Sequence, residues 1–266
     1  MNPAFNPYTF SALPLVVLFN GHEISKATGF ILRHADQHYL ISNVHVFSGL
    51  DAIHRKPLDP RWLQPDEIQV THPRVGGGYV KQTYRLVSEG DHDNEPQSLW
   101  LEHPVFSWMV DVGALPIELP ANASHVPLFE SDLDLPGAEA RPIPHRVGLS
   151  PTLQLDVIGY PFGRRGGSEL FGIWTTASVA SEPAIGFEGT PSFLVDSRTR
   201  PGNSGSPVIF YRDLRPFRDA VGEVRAPLGP YAEFVGVYSH RIDKDADVGV
   251  VFNASAVRAV VTQEHF

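Results

Sequence analysis

The chain has 266 residues, 42% of them hydrophobic and 19% charged, which is enough to bury one large core or two small ones. Composition this balanced excludes a disordered, collagen-like or coiled-coil protein. It carries 21 Lys plus Arg against 30 Asp plus Glu, a formal charge of −9, and no basic block, which argues against a nucleic-acid partner. Cysteine is absent, so a disulfide framework, a thiolate nucleophile and a Cys-based zinc site are excluded, and the absence suits a reducing cytoplasm.

The first apolar run, Ala12 to Phe19, is too short to span a bilayer and has no Lys or Arg before it. It reads as a strand, no membrane association is expected, and the mature protein is expected to start near Met1. Gly29–Leu32 and Tyr39–Ser42 flank the polar stretch 34–37 and predict a hairpin. Further short strands are predicted over 68–70, 79–87, 110–117, 153–159, 173–180, 207–211 and 234–239. Turn-forming stretches separate them: Gly76–Gly78, the acidic run 89–95, Gly163–Gly167, and Gly186 with Gly189. Many short strands with such punctuation suggest a sandwich or barrels. Only the end reads as helix, with Asn253 as N-cap and Ala256, Val257, Val260 and Val261 on one face. The proline-rich stretch from Glu118 to Ser150 lacks apolar alternation. It divides the chain into an expected N-terminal unit (1–118), a linker (119–150) and a C-terminal unit (151–266).

Three segments bear chemistry. In Pro201-Gly202-Asn203-Ser204-Gly205-Ser206-Pro207-Val208-Ile209, a serine sits between glycines on a tight turn that leads into an apolar run. A nucleophilic serine needs that exposure, with backbone N–H groups aimed at the developing oxyanion. A bare Gly-Asn-Ser-Gly is equally compatible with a surface turn. In Leu40-Ile41-Ser42-Asn43-Val44-His45-Val46-Phe47, a histidine ends an apolar strand, where a rigid element can hold a general base or simply bury an imidazole. In Val110-Asp111-Val112-Gly113-Ala114-Leu115, an aspartate lies in an apolar strand and needs a hydrogen-bonding or cationic partner.

The chain order His, Asp, Ser is one of the known orders of a catalytic triad. With the motifs Ser-Asn-Val-His-Val, Asp-Val-Gly-Ala-Leu and Gly-Asn-Ser-Gly-Ser-Pro-Val, the chain resembles the trypsin-like (chymotrypsin-fold) serine peptidases, bacterial members above all, from about Leu15 to the terminal helix. The resemblance implies an all-β fold of two antiparallel barrels with a short C-terminal helix. His45 and Asp111 would belong to the first barrel and Ser204 to the second. It further implies Ser204 as nucleophile, His45 as general base and acid, Asp111 as the partner of the imidazole, and the N–H groups of Gly202 and Ser204 as oxyanion hole. By the same resemblance Ser239 supports the aspartate, Phe234–Ser239 pairs with the substrate backbone, and Gly249 lines the primary pocket.

Where secreted relatives carry an aspartate before the nucleophile, this chain has Asn203. Activation by a newly cleaved N-terminus is therefore not expected, and side-chain hydrogen bonds of Asn203 are expected to hold the Gly202 turn. Pocket positions implied by the resemblance are Arg198, Thr199, Gly236, His240, Arg241 and Gly249. These either favour an acidic substrate side chain, or Arg198 and Arg241 face solvent or pair with Asp196 or Asp243. His34 and His38 flank a predicted turn and do not form a helical zinc pair, the acidic residues Asp91, Asp93 and Glu95 read as a solvated hairpin tip, and Gly163–Gly167 reads as a loop able to gate the cleft. The expected activity is a serine endopeptidase acting on peptide or protein substrates through an acyl-enzyme, without metal or organic cofactor. No appended peptide-binding module is expected after the last helix. An inactive peptide-binding module on the same fold and an esterase are the competing readings, and the residues leave the oligomeric state open.

Overall fold

Alternation shapes the first strand: in Leu13–Phe19 (β1), Leu13, Leu15 and Val17 turn inward while Pro14 and Val16 are half-exposed. β1 pairs antiparallel with the long strand β2 (His22–His34), whose second half forms the predicted hairpin with β3 (Gln37–Ser42). A one-turn helix α1 (Val44–Ser48) follows, then β4 (Glu67–Pro73), β5 (Tyr79–Arg85) and β6 (Gly113–Ile117). These six strands form one antiparallel sheet in the order β5-β4-β1-β2-β3-β6. It curls over a core of Leu13, Leu15, Leu40, Phe47, Ile68 and Val70. This computed structural model describes residues 5–90, 95–124, 146–167, 170–243 and 245–264.

The remaining long strands close into a barrel: β7 (Gln154–Gly159), β8 (Ile173–Val179), β9 (Ser192–Asp196) and β10 (Pro207–Arg212), with β13 (Tyr231–Arg241) and β14 (Val248–Asn253). The order β10-β13-β14-β9-β8-β7 returns to β10 through its pairing with β7. Between β10 and β13, Phe217–Arg218 (β11) and Val224–Arg225 (β12) make a small ribbon. Helix α2 (Ala254–Thr262) ends the fold. As expected, Asn253 Oδ1 caps it by accepting the Ala256 N–H at 3.0 Å, and Ala256, Val257, Val260 and Val261 are buried.

A curled sheet and a closed barrel with a short terminal helix make the double-barrel architecture implied by the resemblance. The first of the two is an open sheet among the described residues. A third core lies between them, where Phe30, Leu32, Ile41, Val110 and Val112 meet Ile158, Tyr160, Phe234, Val237 and the buried face of α2. Burial of this layer fixes the sheet against the barrel, and the three chemistry-bearing segments border it.

The structure changes three details. His45 does not end a strand: β3 stops at Ser42 and the histidine lies in α1, which stops at Gly49 in the left-handed region. Asp111 precedes β6 by two residues, because its carboxylate is turned to the start of α1 and the sheet pairing begins only at Gly113. Strands β9 and β14 and the outer half of β2 were not anticipated. Most of the expected linker, residues 125–145, lies outside the described residues, as do Asp91 and Asp93.

Candidate active site

Asp111 is 2% exposed, and three donors meet its carboxylate. Oδ1 accepts the backbone N–H of His45 at 2.8 Å; Oδ2 accepts from His45 Nδ1 at 2.6 Å and from the hydroxyl of Ser239. Burial by itself would raise the pKa of this carboxyl. The charge and hydrogen bond of His45, the charge of His240 and the Ser239 hydroxyl outweigh it and hold the pKa below the usual carboxylate value. An ionised Asp111 fixes the His45 tautomer with the proton on Nδ1, so Nε2 is left as the basic nitrogen. The carboxylate side of this pair is thus built by α1, the segment before β6, and β13.

Ser204 stands on a turn braced from all sides. Gly202 has φ +99° and Gly205 φ +81°, both in the region that favours glycine. A side chain on Gly205 would also place Cβ 2.1 Å from the Thr28 carbonyl, so the position has neither the dihedral nor the space for another residue. The Pro201 carbonyl accepts the Phe162 N–H at 2.6 Å. In a planar trans peptide the N–H lies opposite the carbonyl, so the Gly202 N–H is turned away from that loop. Among the described residues neither the Gly202 nor the Ser204 N–H has an acceptor. Both residues line a cavity of about 260 Å³ shared with His45, Lys26, Leu58 and Pro65. His45 and Ser204 therefore face one cleft, although among the described residues no hydrogen bond joins the Ser204 hydroxyl to the imidazole.

The turn is not held as expected. Among the described residues the Asn203 side chain makes no hydrogen bond; its backbone N–H reaches the Arg200 carbonyl at 3.1 Å instead. Thr28 does the bracing and was missed. Its hydroxyl donates to the Gly202 carbonyl at 2.6 Å and accepts the Tyr160 N–H at 3.0 Å, while its own N–H donates to the Ser204 carbonyl at 2.9 Å. One residue of β2 thus ties the sheet to both ends of the Ser204 turn. Asn43 was also missed: its Nδ2 donates to the Asp111 carbonyl at 2.6 Å and fixes the segment that delivers the carboxylate. The available signal in both cases was a polar residue at the end of an apolar run, which the sequence offers in many places.

The pocket candidates have different surroundings. Arg198 is exposed, while Arg241 is half-buried. Thr199 is 1% exposed and its hydroxyl is bonded to the hydroxyl of Tyr238, 3% exposed. The Tyr238 ring lies across Gly249, where an added Cβ would stand 2.4 Å from Cε2. Gly236 faces the neighbouring strand, since a Cβ there would meet the Phe252 carbonyl at 2.1 Å. Tyr238 thus fills the space between Thr199 and Gly249, and the cavity at Ser204 opens instead towards β2, α1 and the loop 58–65. The 161–163 turn at the start of the expected gating loop is pinned to Pro201 by the Phe162 N–H. Among the described residues no three His, Asp or Glu side chains cluster as metal ligands, and no helix is long and apolar enough to cross a membrane.

Neither a protein-family model nor a curated protein sequence matches the chain. Among solved structures it is similar to the active form of the Rv3671c protease from M. tuberculosis, with a TM-score of 0.48 and 17% identity, covering 96% of this chain and 80% of that one. The inactive form of the same protease gives a TM-score of 0.46 and 17% identity, with 96% and 89% covered. A serine endoprotease from Yersinia pestis gives 0.48 and 14%, with 96% of this chain and 62% of that chain covered.

Proposed function

We propose that the chain is a serine endopeptidase. The observation that carries this reading is the 2.6 Å contact between His45 Nδ1 and the buried carboxylate of Asp111, in a cleft that His45 shares with Ser204. In this reading the Ser204 hydroxyl attacks the scissile carbonyl carbon and passes its proton to His45 Nε2. The oxyanion that forms accepts the N–H groups of Gly202 and Ser204, and the imidazolium is stabilised by Asp111. His45 then protonates the leaving amine. A water, deprotonated by the same nitrogen, attacks the acyl carbon, and as the ester bond breaks His45 returns that proton to the departing Ser204 oxygen. Every proton is handled by the side chains of this chain.

A fluorophosphonate probe tests the proposal. Covalent labelling of the wild type, lost in Ser204→Ala, supports an activated serine; equal labelling of the two refutes it. Cleavage of a diverse peptide library read by mass spectrometry then separates a peptidase from an esterase. The missing hydrogen bond between Ser204 and His45 favours a second reading, a catalytically silent peptide-binding module, and absence of labelling would select it.

A further inference from the structure

His240 is a second imidazole within reach of the same carboxylate, and nothing in the reaction above uses it. It follows Ser239 on β13 and is half-buried. Ser239 has one hydroxyl proton, which it donates to Asp111 Oδ2. Its Oγ also lies 2.6 Å from His240 Nδ1. With the serine proton committed to the carboxylate, His240 Nδ1 must carry a proton and be the donor. A line of donors then runs from His240 Nδ1–H to Ser239 Oγ–H to Asp111 Oδ2, the oxygen that also receives the His45 Nδ1–H. In the other tautomer, Nδ1 of His240 would accept and would draw the serine proton off the carboxylate.

The charged groups facing His240 come from several elements. Asp111 before β6, Asp51 after α1 and Glu188 before β9 favour its cation, while His45 on α1 opposes it. Burial is the largest influence and also opposes the cation, so its pKa is held below the ordinary histidine value. The neutral form is the one at rest above neutral pH.

We infer that His240 is a positioning residue acting on His45 through Ser239 and Asp111. Neutral, it commits the serine proton to the carboxylate; protonated, it brings a second cation to the charge that the His45 imidazolium requires. The role rests on His45 and Asp111 being the base and its partner.

Two variants and two readouts test it. His240→Asn keeps an N–H donor near the place of Nδ1 and cannot become charged, whereas His240→Phe removes the donor. NMR titration of the ring nitrogens should show His45 following two coupled protonation steps in the wild type and one step in either variant. Fluorophosphonate labelling of Ser204 should fall about 100-fold per pH unit below both steps in the wild type, and about tenfold in His240→Asn. At neutral pH His240→Phe should label at least about fivefold more slowly than the wild type, and His240→Asn should recover most of that loss. A His45 titration with the same single step in wild type and His240→Asn overturns the inference, whether or not Ser204 reacts. A coupled titration without labelling overturns the peptidase reading, and the role of His240 with it, whereas a single His45 step with labelling intact overturns the inference alone.

Discussion

Replacing Thr28 by valine removes one oxygen and keeps the shape of the side chain. In the native chain that oxygen donates to the Gly202 carbonyl at 2.6 Å and accepts the Tyr160 N–H at 3.0 Å, with Thr28 and Tyr160 both fully buried. The valine methyl fills the space, so both backbone groups are left without a partner. Each buried orphan costs about 1–3 kcal/mol, and the pair about 2–6 kcal/mol of stability. The Thr28 N–H still holds the Ser204 carbonyl at 2.9 Å and the Phe162 N–H still holds the Pro201 carbonyl at 2.6 Å, so the barrel contact survives while the Gly202–Asn203 peptide, which lies between the Gly202 and Ser204 N–H groups, loses its side-chain tether. Complete loss of one oxyanion donor lowers kcat about 10²–10³-fold. Loosening the peptide between the two donors should fall short of that limit, with labelling of Ser204 slowed by about tenfold. Thr28→Ser keeps the oxygen and loses only a methyl, about 1 kcal/mol, with labelling near wild type. Urea unfolding and the second-order rate of fluorophosphonate labelling read the two effects separately. If valine and serine variants label at the same rate, the hydroxyl does not brace the turn and the argument is wrong.

Asp111→Asn should lower turnover by about 10⁴-fold, because an amide cannot hold the imidazole in the required tautomer or stabilise its cation; steady-state kinetics on a peptide substrate reads this. Gly205→Ala should leave little folded protein, since the added Cβ meets the Thr28 carbonyl at 2.1 Å and φ is +81°; circular dichroism of the purified variant is the check. Tyr238→Phe removes the hydroxyl bond to Thr199 and should cost about 1 kcal/mol in urea unfolding, with the ring still covering Gly249. Burial lowers the pKa of His103 to about 4, and its Nδ1 accepts two backbone N–H groups. Below the unfolded value near 6.5 the unfolded chain binds a proton that the folded chain refuses. Its stabilising contribution is therefore full above that pH and declines by about 3 kcal/mol down to about pH 4. Chemical denaturation of wild type and His103→Asn between pH 4 and 7 should show the difference.

The strands most legible in the sequence are those with one wet face and a turn on each side, such as β1 and the β2–β3 hairpin. The helix α2 was legible because Asn253 and a four-residue apolar spacing coincide. Strands β9 and β14 carry the near-continuous runs Phe193-Leu194-Val195 and Val250-Val251-Phe252, whose inward and interstrand faces are both covered, so period-two alternation is absent. Among the candidate residues, His45, Asp111 and Ser239 are joined by hydrogen bonds, and Ser204 shares their cleft through His45. Those residues were recoverable because short motifs with fixed neighbours carry them. The surroundings of Thr199 and Gly249 were not, since they depend on the rotamer of Tyr238, a residue from another strand. The brace at Thr28 was hidden for a similar reason: its partners lie 174 and 132 residues away.

Tyr238 also contributes main-chain groups to the nucleophile turn, accepting the Gly205 N–H at 3.0 Å and donating to the Ser206 carbonyl at 2.9 Å. The residue that plugs the gap beside Gly249 is therefore stitched through its own main chain to the peptide that follows Ser204. Widening that gap by evolution or design would require exchanging the phenol for a smaller group while leaving its backbone untouched. The shape of this corner can thus drift through side-chain replacement alone, with the main-chain scaffold around Ser204 kept as a separate, less mutable part.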